Sequence, residues 1–264
     1  MARIGFIGAG KMGSALIRCI QKANIARAIS AYDPNSSNLA QLKGQSKVSI
    51  ASGNEEVVKK SGIVFLAIKP FLMAQILNEI KPHARKNQLF VSIAAGVKLD
   101  AMQKILTSQK VIRVMPNLCC IAGEMAAGYS LGRGVTKADS ILIKRILDSA
   151  GQSFEVKESQ LDAITGLSGS GPAFVAYLIG AFAKAGTQAG IPKDISLQLS
   201  RQTFLGTAKL LQDSKISEEE LIGMVATKGG TTEAGLKVLG SSEVADALKR
   251  TVRQATLRSK ELGK

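Results

Sequence analysis

The sequence predicts an α/β fold, a doubly wound and mostly parallel sheet followed by an all-helical region. Up to about residue 155, short apolar runs alternate with amphipathic stretches, which is typical of strand–helix units. After about Glu158 the strand signals disappear and the periodicity is helical. We therefore predict two domains, residues 1–158 and 159–264, that pack tightly because no low-complexity linker separates them.

The elements of the first domain follow from apolar runs and their terminators. Strands are predicted at Ile4–Ile7, Ala28–Tyr32, Ile63–Ile68, Leu89–Ile93 and Val111–Val114, and helices at Met12–Ala23, Phe71–Ile80 and Leu99–Leu106. Asn54 is expected to be the N-cap of a further helix, with Glu55 and Glu56 in its first turn. Ligands bind at the carboxyl ends of strands in such sheets. The loops at 69–70, 94–96 and 115–117 are therefore expected to line one cleft.

Two glycine-rich segments are expected to interrupt the helices of the second domain. Residues 166–172 can serve close helix packing or a domain interface. Gly229 and Gly230 precede a helix that is expected to begin near Thr232. Backbone N–H groups there can form a nest for a carboxylate, and a threonine hydroxyl can contact a substrate nitrogen. The alternative is that Thr231 or Thr232 is an ordinary N-cap.

The composition restricts the class of protein. Of 264 residues, 45% are hydrophobic and 21% charged, as in globular proteins. We expect no signal peptide, and no membrane span because no apolar stretch reaches the roughly 18 residues required. Three cysteines, Cys19, Cys119 and Cys120, without a CxxC pair argue against a disulfide framework and a zinc site. The cytoplasm is the expected location.

The formal net charge of +15 allows two interpretations. Basic patches neutralise nucleic-acid phosphates, whereas a solvated basic surface attracts small anions. No stacking platform or recognised nucleic-acid motif accompanies the charge. We therefore do not expect a nucleic-acid partner.

The strongest motif is Gly8-Ala9-Gly10-Lys11-Met12-Gly13, a complete GxGxxG between a predicted strand and a predicted helix. Gly8 permits the tight turn, Gly10 admits a pyrophosphate and Gly13 allows close helix–strand packing. The helix N-terminus then faces the phosphates with free N–H groups. This context predicts a dinucleotide-binding Rossmann domain.

Asp33 ends the second predicted strand, 20 residues after Gly13. A carboxylate there accepts hydrogen bonds from the adenosine ribose of NADH and repels the additional phosphate of NADPH. Alternatively, Asp33 only bonds the backbone of the Asp-Pro turn. Either dinucleotide is possible because Ser36 and Ser37 could serve a phosphate, and the sequence favours NADH.

Other candidate sites are weak. His83, the only histidine, follows Pro82 near a helix end and is expected to be a surface residue. No His, Cys and Asp cluster has metal-ligand spacing, so no metal is expected.

Together these motifs resemble the pyrroline-5-carboxylate reductase family. The segments that carry the resemblance are 4–12, 66–70, 94–97, 114–117, 167–173 and 229–232, and Leu-Ser-Gly-Ser-Gly-Pro-Ala at 167–173 is the most specific. The resemblance implies a Rossmann domain, a helical substrate-binding and dimerisation domain, and a homodimer that can assemble into a ring of dimers. It also implies reduction of 1-pyrroline-5-carboxylate to L-proline by hydride transfer from NAD(P)H, the last step of proline biosynthesis.

The resemblance also assigns site residues. The dinucleotide would contact Ile7, Gly8, Ala9, Gly10, Lys11, Met12, Asp33, Asn54, Ile68, Lys69 and Ala95. The substrate would contact Thr227, Gly230, Thr231 and Thr232, with Thr232 as the catalytic residue at the ring nitrogen. The proton could come through Thr232, from water, or on a protonated iminium.

Departures from the family pattern leave alternatives open. Leu118-Cys119 stands where the family usually has Thr-Pro, and Thr227-Lys228 where it has Ser-Pro. One alternative is a paralogue that reduces a related cyclic imine. A β-hydroxyacid dehydrogenase is less compatible, because Phe174 and Val175 follow the turn after which that class places a catalytic lysine. A non-enzymatic dinucleotide- or nucleic-acid-binding protein is the third alternative.

Overall fold

The computed structural model describes residues 1–86, 88–107 and 109–263. These form two compact units. The first comprises Met1–Gly171 and Val252–Lys264, and the second comprises Pro172–Thr251.

A sheet organises the first unit. Its described strands are β1 (Ala2–Ile7), β2 (Ala26–Tyr32), β3 (Val48–Ile50), β4 (Ile63–Leu66), β5 (Leu89–Ser92), β6 (Lys110–Met115), β7 (Met125–Leu131) and β8 (Gly151–Glu155). Their order is β3-β2-β1-β4-β5-β6-β7-β8. Neighbouring strands are parallel except for the antiparallel pair of β6 and β7. The order reverses at β1, and a ligand is expected at the carboxyl end of β1 for that reason.

Helices cover the sheet. In the first unit they are α1 (Lys11–Lys22), α2 (Ser36–Ala40), α3 (Asn54–Lys60), α4 (Met73–Ile80), α5 (Leu99–Ile105), α6 (Lys137–Asp148) and α7 (Leu161–Ile164). Two clusters of buried apolar side chains form the core. In the first, Phe6 and Phe65 stack with ring centroids 4.8 Å apart. All four residues of β4 and of β5 are buried, which explains why these strands are apolar except for Ser92 at the end of β5.

The glycine-rich segment at 166–172 separates two α-helices, as predicted, although most of the segment is itself helical. After α7 comes a π-helical turn, Thr165–Gly169, and then α8 (Gly171–Gln188). Gly166 leaves no room for a Cβ, because Thr256 and the Val252 carbonyl lie against it. Pro172 is tolerated because it occupies the first turn of α8.

The helical run 158–188 also bears on the expectation that no segment could span a membrane. Among the described residues, this run alone has the length and composition that could cross a membrane, with a mean hydropathy of 1.3 over its most apolar 18 residues. Only 11% of those residues are buried within the chain.

The first compact unit extends beyond the boundary predicted at residue 158. Leu161 and Ile164 of α7 lie over Gly128 of β7. From the last helix, the Ser259 hydroxyl donates to Asp162 at 2.7 Å. These contacts join residues from the helical sequence to the sheet.

The second unit consists of helices. It contains α8 from Pro172, α9 (Lys193–Ser214), α10 (Glu218–Val225), α11 (Thr231–Ser241) and the start of α12 (Val244–Leu262). Phe182 and Phe204 meet edge to face at 5.9 Å, and Ser196 donates to the Ala183 carbonyl at 2.7 Å. Most large apolar side chains of this unit are nevertheless exposed.

Candidate active site

The turn between β1 and α1 is shaped by its glycines. Gly8 has φ +96°, and a Cβ there would collide with the Ala67 carbonyl. A Cβ on Gly10 would meet no atom within 4 Å, so the backbone there is open to a ligand. A Cβ on Gly13 would meet the Gly8 carbonyl. The turn therefore has the tight bend, open approach and close packing that a pyrophosphate site requires.

Asp33 connects this turn to the end of β2. Its Oδ2 accepts the Ala9 N–H at 2.8 Å, and its Oδ1 accepts the Asn35 N–H at 2.9 Å. The bond from Asn35 is the local turn contact that the sequence allowed as the alternative to a ribose role, whereas the bond from Ala9 ties Asp33 to the glycine turn. It also lines the cleft described next.

A cleft of about 620 Å³ lies at the carboxyl ends of β1 and β4. Of the predicted dinucleotide residues, it is lined by Ile7, Gly8, Gly10, Asp33, Asn54, Ile68 and Lys69. Ala9, Lys11, Met12 and Ala95 are not among its lining residues. Ala9 is fully buried, whereas Lys11 and Ala95 are exposed. The volume, the open glycine backbone and the free helix N-terminus fit an extended dinucleotide.

One wall of this cleft was not predicted from the sequence. It is formed by Phe71 and Leu72 from the 3₁₀ turn before α4, and by Gln75, Ile76 and Glu79 from α4 itself. The last four recur at the spacing of a single helical face, a signal that was available in the sequence.

Asn54 is not an N-cap, contrary to the prediction. Gly53, which is extended at φ −173°, occupies that position, and Asn54 is the first residue of α3. The Asn54 side chain instead donates from Nδ2 to Glu79 Oε1 at 3.0 Å. Asn54 is 8% exposed and lies in the cleft wall.

The loops after β5 and β6 have structural contacts of their own. Gly96, with φ +78°, lies against the backbone of Leu262 and Gly263. The Asn117 amide donates to the Ser168 carbonyl at 3.2 Å and accepts the Ala126 N–H at 3.1 Å. Neither loop lines the 620 Å³ cleft. The prediction that three loops line one cleft is therefore wrong for 94–96 and 115–117, and only the loop at 69–70 lines it.

In the second unit, the Thr227–Thr232 segment forms the turn before α11. Gly229 has φ +73°, and the Gly230 N–H bonds the Thr227 carbonyl at 2.9 Å. Gly230 is the N-cap, so neither threonine is, and α11 begins at Thr231, close to the predicted start near Thr232.

The electrostatics of this turn favour a negative charge. The Glu233 carboxylate accepts the Gly229 N–H and pairs with Lys237 at 3.1 Å. The pKa of Glu233 is lowered mainly by the hydrogen bond from Gly229 and, to a smaller extent, by that from Lys237. The first N–H groups of α11 lack helical partners, and the half-buried Thr232 hydroxyl makes no hydrogen bond within the described chain. These donors are available to a ligand.

The remaining candidates are accounted for. His83 lies in a short 3₁₀ turn, Lys81–His83, and its Nδ1 is 3.6 Å from Glu55. Across the described residues, no three His, Cys, Asp or Glu side chains form a metal-binding group. The three cysteines are free, and burial raises the pKa of Cys120 to about 12.

Comparison with known proteins completes the assignment. Residues 158–262 match the family model for pyrroline-5-carboxylate reductase dimerisation, and residues 3–96 match that for NADP oxidoreductase, coenzyme F420-dependent. A pyrroline-5-carboxylate reductase of Methanosarcina acetivorans is 38% identical over 99% of this chain and 98% of its own. That of Arabidopsis thaliana is 36% identical over 98% and 95%.

Solved structures agree with these relatives. Plasmodium falciparum pyrroline carboxylate reductase with NADP bound has a TM-score of 0.84 at 30% identity, covering 100% of this chain and 98% of its own. A pyrroline-5-carboxylate reductase from Coxiella burnetii has a TM-score of 0.95 at 28% identity, covering 100% and 99%. A 3-hydroxyisobutyrate dehydrogenase, at 12% identity and a TM-score of 0.53, shares only the fold. The chain is an oxidoreductase and belongs to the pyrroline-5-carboxylate reductase family, as the sequence resemblance predicted.

Proposed function

We propose that this protein reduces 1-pyrroline-5-carboxylate to L-proline, using a nicotinamide dinucleotide held in the cleft beside Gly8–Gly13. The observation that carries this proposal is the glycine turn at the carboxyl end of β1, with its open approach at Gly10. When bound, the dinucleotide supplies a hydride. The C=N carbon of the substrate receives that hydride, and the nitrogen receives a proton, so the imine becomes a secondary amine.

The residues of the chain bind and orient the dinucleotide and the substrate. The open backbone at Gly10 and the N-terminus of α1 would hold the pyrophosphate. The free N–H groups at the start of α11 would hold the substrate carboxylate, and the Thr232 hydroxyl would contact the ring nitrogen. An imine needs orientation and a proton more than it needs a nucleophile. Proximity and fixed dipoles are therefore sufficient for this chemistry.

For the cofactor, we propose a preference for NADH. The Asp33 carboxylate lies in the cleft with both oxygens already accepting backbone N–H groups, so it is fixed in place. An additional phosphate beside this carboxylate would be repelled.

For the assembly, we propose a homodimer that can form a ring of dimers. The match of residues 158–262 to a dimerisation domain supports an oligomer. The apolar side chains of α8 to α11 that remain exposed within one chain supply a surface for it. We place the protein in the reducing cytoplasm without a nucleic-acid or membrane partner, in keeping with its three free cysteines.

The direct test is turnover. Purified protein is mixed with 1-pyrroline-5-carboxylate and either NADH or NADPH, and the loss of dinucleotide absorbance is followed. We expect turnover with both and a higher kcat/KM with NADH. A second cyclic imine with a six-membered ring serves as the comparison substrate, since Lys228 lies in the turn before α11. If only the six-membered imine is reduced, the proposed substrate is wrong. If neither imine is reduced, the proposed function is wrong.

A further inference from the structure

Asn54 and Glu79 form a polar pair in the wall of the dinucleotide cleft. The Asn54 amide nitrogen donates to Glu79 Oε1 at 3.0 Å, and both residues line the cleft. Asn54 is buried, with 8% of its surface exposed, whereas Glu79 is exposed on α4. The pair therefore joins an enclosed amide to a carboxylate at the cleft rim.

The packing of α3 against α4 does not depend on this pair. Val57 and Val58 of α3 are buried in the same apolar cluster as Met73, Leu77 and Ile80 of α4. The start of α3 does not depend on it either, because Gly53 is the N-cap and Asn54 makes no capping bond. The net contribution of one hydrogen bond at a partly exposed pair to the free energy of unfolding is small compared with that of these buried apolar contacts.

The hydrogen bond does determine which way the Asn54 amide faces. An ionised carboxylate only accepts hydrogen bonds, so it selects the amide orientation with Nδ2 toward Glu79. The Asn54 carbonyl oxygen and the second amide hydrogen then remain for a ligand. Without Glu79 the amide could rotate, and it would offer a mixture of donor and acceptor to the cleft.

We propose that Glu79 is a positioning residue for the dinucleotide, acting through Asn54 by holding its amide so that the carbonyl oxygen accepts a ribose hydroxyl. This inference rests on the proposed function for the identity of the ligand. It adds a residue that neither the glycine motif nor the family resemblance assigns. Glu79 itself does not need to contact the dinucleotide.

The test compares two replacements of Glu79 by calorimetric titration with NADH in the absence of substrate. Glu79→Met removes the acceptor at similar length, and we expect the Kd for NADH to rise about fivefold to tenfold, as for the loss of one hydrogen bond. Glu79→Gln offers both an acceptor oxygen and donor N–H groups, so it selects the Asn54 amide orientation less strictly, and we expect a smaller rise in Kd of about twofold to threefold. Glu55→Met is the matched control, because Glu55 is exposed on α3 and does not line the cleft.

A double-mutant cycle separates positioning from other roles. In an Asn54→Ala background, Glu79→Met should cause no further rise in Kd, because there is no amide left to orient. The melting temperature of Glu79→Met should equal that of the wild type, because the apolar contacts between α3 and α4 remain. An NADH affinity of Glu79→Met equal to the wild type would overturn the inference. The inference would also be overturned if Glu79→Met lowered the NADH affinity just as much in the Asn54→Ala background as in the wild type. A loss of NADH affinity that accompanies a lowered melting temperature would overturn it too.

The calorimetry also distinguishes this inference from the proposed function. Wild-type protein that binds neither NADH nor NADPH contradicts the proposed function itself. Wild-type protein that binds NADH, with Glu79→Met binding equally well, contradicts only the role of Glu79.

Discussion

The two compact units bury their apolar side chains to very different extents. In the first unit, both faces of the sheet are covered, and residues such as Phe6, Phe65 and Phe90 are fully buried. In the second unit, Ala183 is the one apolar residue among those described that is classed as buried, while Tyr177 is 78% and Val238 is 68% exposed. The first unit can fold around its own core, whereas the second lacks one within a single chain.

This difference suggests a division of work. A unit with its own core carries the glycine turn at Gly8–Gly13, and a unit that lacks one carries the turn at Gly229–Thr232. Changes in the first unit should therefore affect cofactor binding in the monomer. Changes in the second should affect substrate use or assembly and leave cofactor binding unchanged.

The largest effect is expected at Gly8. In Gly8→Ala, the Cβ meets the Ala67 carbonyl at a φ of +96°. The free energy of unfolding should fall by about 2–4 kcal/mol, and NADH binding should be lost. Gly10→Ala is the matched variant, because Gly10 has a φ of −63° and free space around it. It should keep its stability and lose only NADH affinity, as measured by chemical denaturation and calorimetry. Equal destabilisation by both would contradict the separate roles of the two glycines.

The sequence was sufficient to predict these glycines because each constraint is local. The same holds for β4 and β5, whose buried residues are apolar except for Ser92. By contrast, β3, β7 and β8 were missed. The sequence of β7, Met125–Leu131, is mostly buried but is dominated by small residues. The sequences of β3 and β8, Val48–Ile50 and Gly151–Glu155, are short and mostly exposed. The sheet edge, not the local sequence, makes them strands.

Errors in the site have the same origin. Asn54 resembles an N-cap in sequence, yet its amide bonds Glu79, 25 residues away. The segment at 166–172 separates α7 from α8 as predicted, yet its first residues form a π-helical turn in which Val252 and Thr256 enclose Gly166. Signals that depend on distant residues are not visible in a local pattern. The helical face of α4 was the exception, since its spacing was present in the sequence.

The next largest effect is expected at Thr232, in the second unit. Thr232→Ala should lower kcat/KM for 1-pyrroline-5-carboxylate about tenfold to hundredfold, because it removes a hydroxyl proposed to contact the ring nitrogen. The Kd for NADH should not change. Thr207→Ala is the control, because Thr207 is exposed on α9 and is not among the predicted substrate residues. A parallel loss of NADH affinity would show that Thr232 is structural and that the division between units is wrong.

Assembly should respond to charge on α8. Tyr177 is 78% exposed, so Tyr177→Glu should weaken the dimer at least about tenfold, as judged by sedimentation at several concentrations. Gln188→Glu introduces the same charge on the same helix at a polar position and should leave the dimer intact. The monomer should still bind NADH through the first unit. An unchanged dimer would show that another face of the helical unit forms the interface.

Asp33→Ser should change cofactor choice more modestly. Removing the carboxylate relieves repulsion of the additional phosphate and removes the acceptor for the Ala9 N–H. The ratio of kcat/KM with NADPH to that with NADH should rise about tenfold. Asp33→Asn retains an acceptor oxygen and tests whether the charge or the hydrogen bond matters. A ratio unchanged in both variants would remove Asp33 from cofactor selection.

The smallest effect is expected at Glu56, on the solvent face of α3. Hydrogen bonds from Lys60, the larger contribution, and from Ser52 lower the pKa of this carboxyl from about 4.5 to about 2. Since the folded-state pKa lies below the unfolded-state value, the associated stability is present above about pH 4.5 and is lost as the pH falls towards 2. Over that range the melting temperature of the wild type should fall slightly more steeply than that of Glu56→Gln. Glu124→Gln is the control, because the exposed Glu124 side chain makes no hydrogen bond within the described chain. The melting temperature of this variant should fall with pH as steeply as that of the wild type. Because Glu56 lies in the unit that has its own core, the difference should persist in the Tyr177→Glu monomer. If it appeared only in the dimer, the first unit would not be self-sufficient.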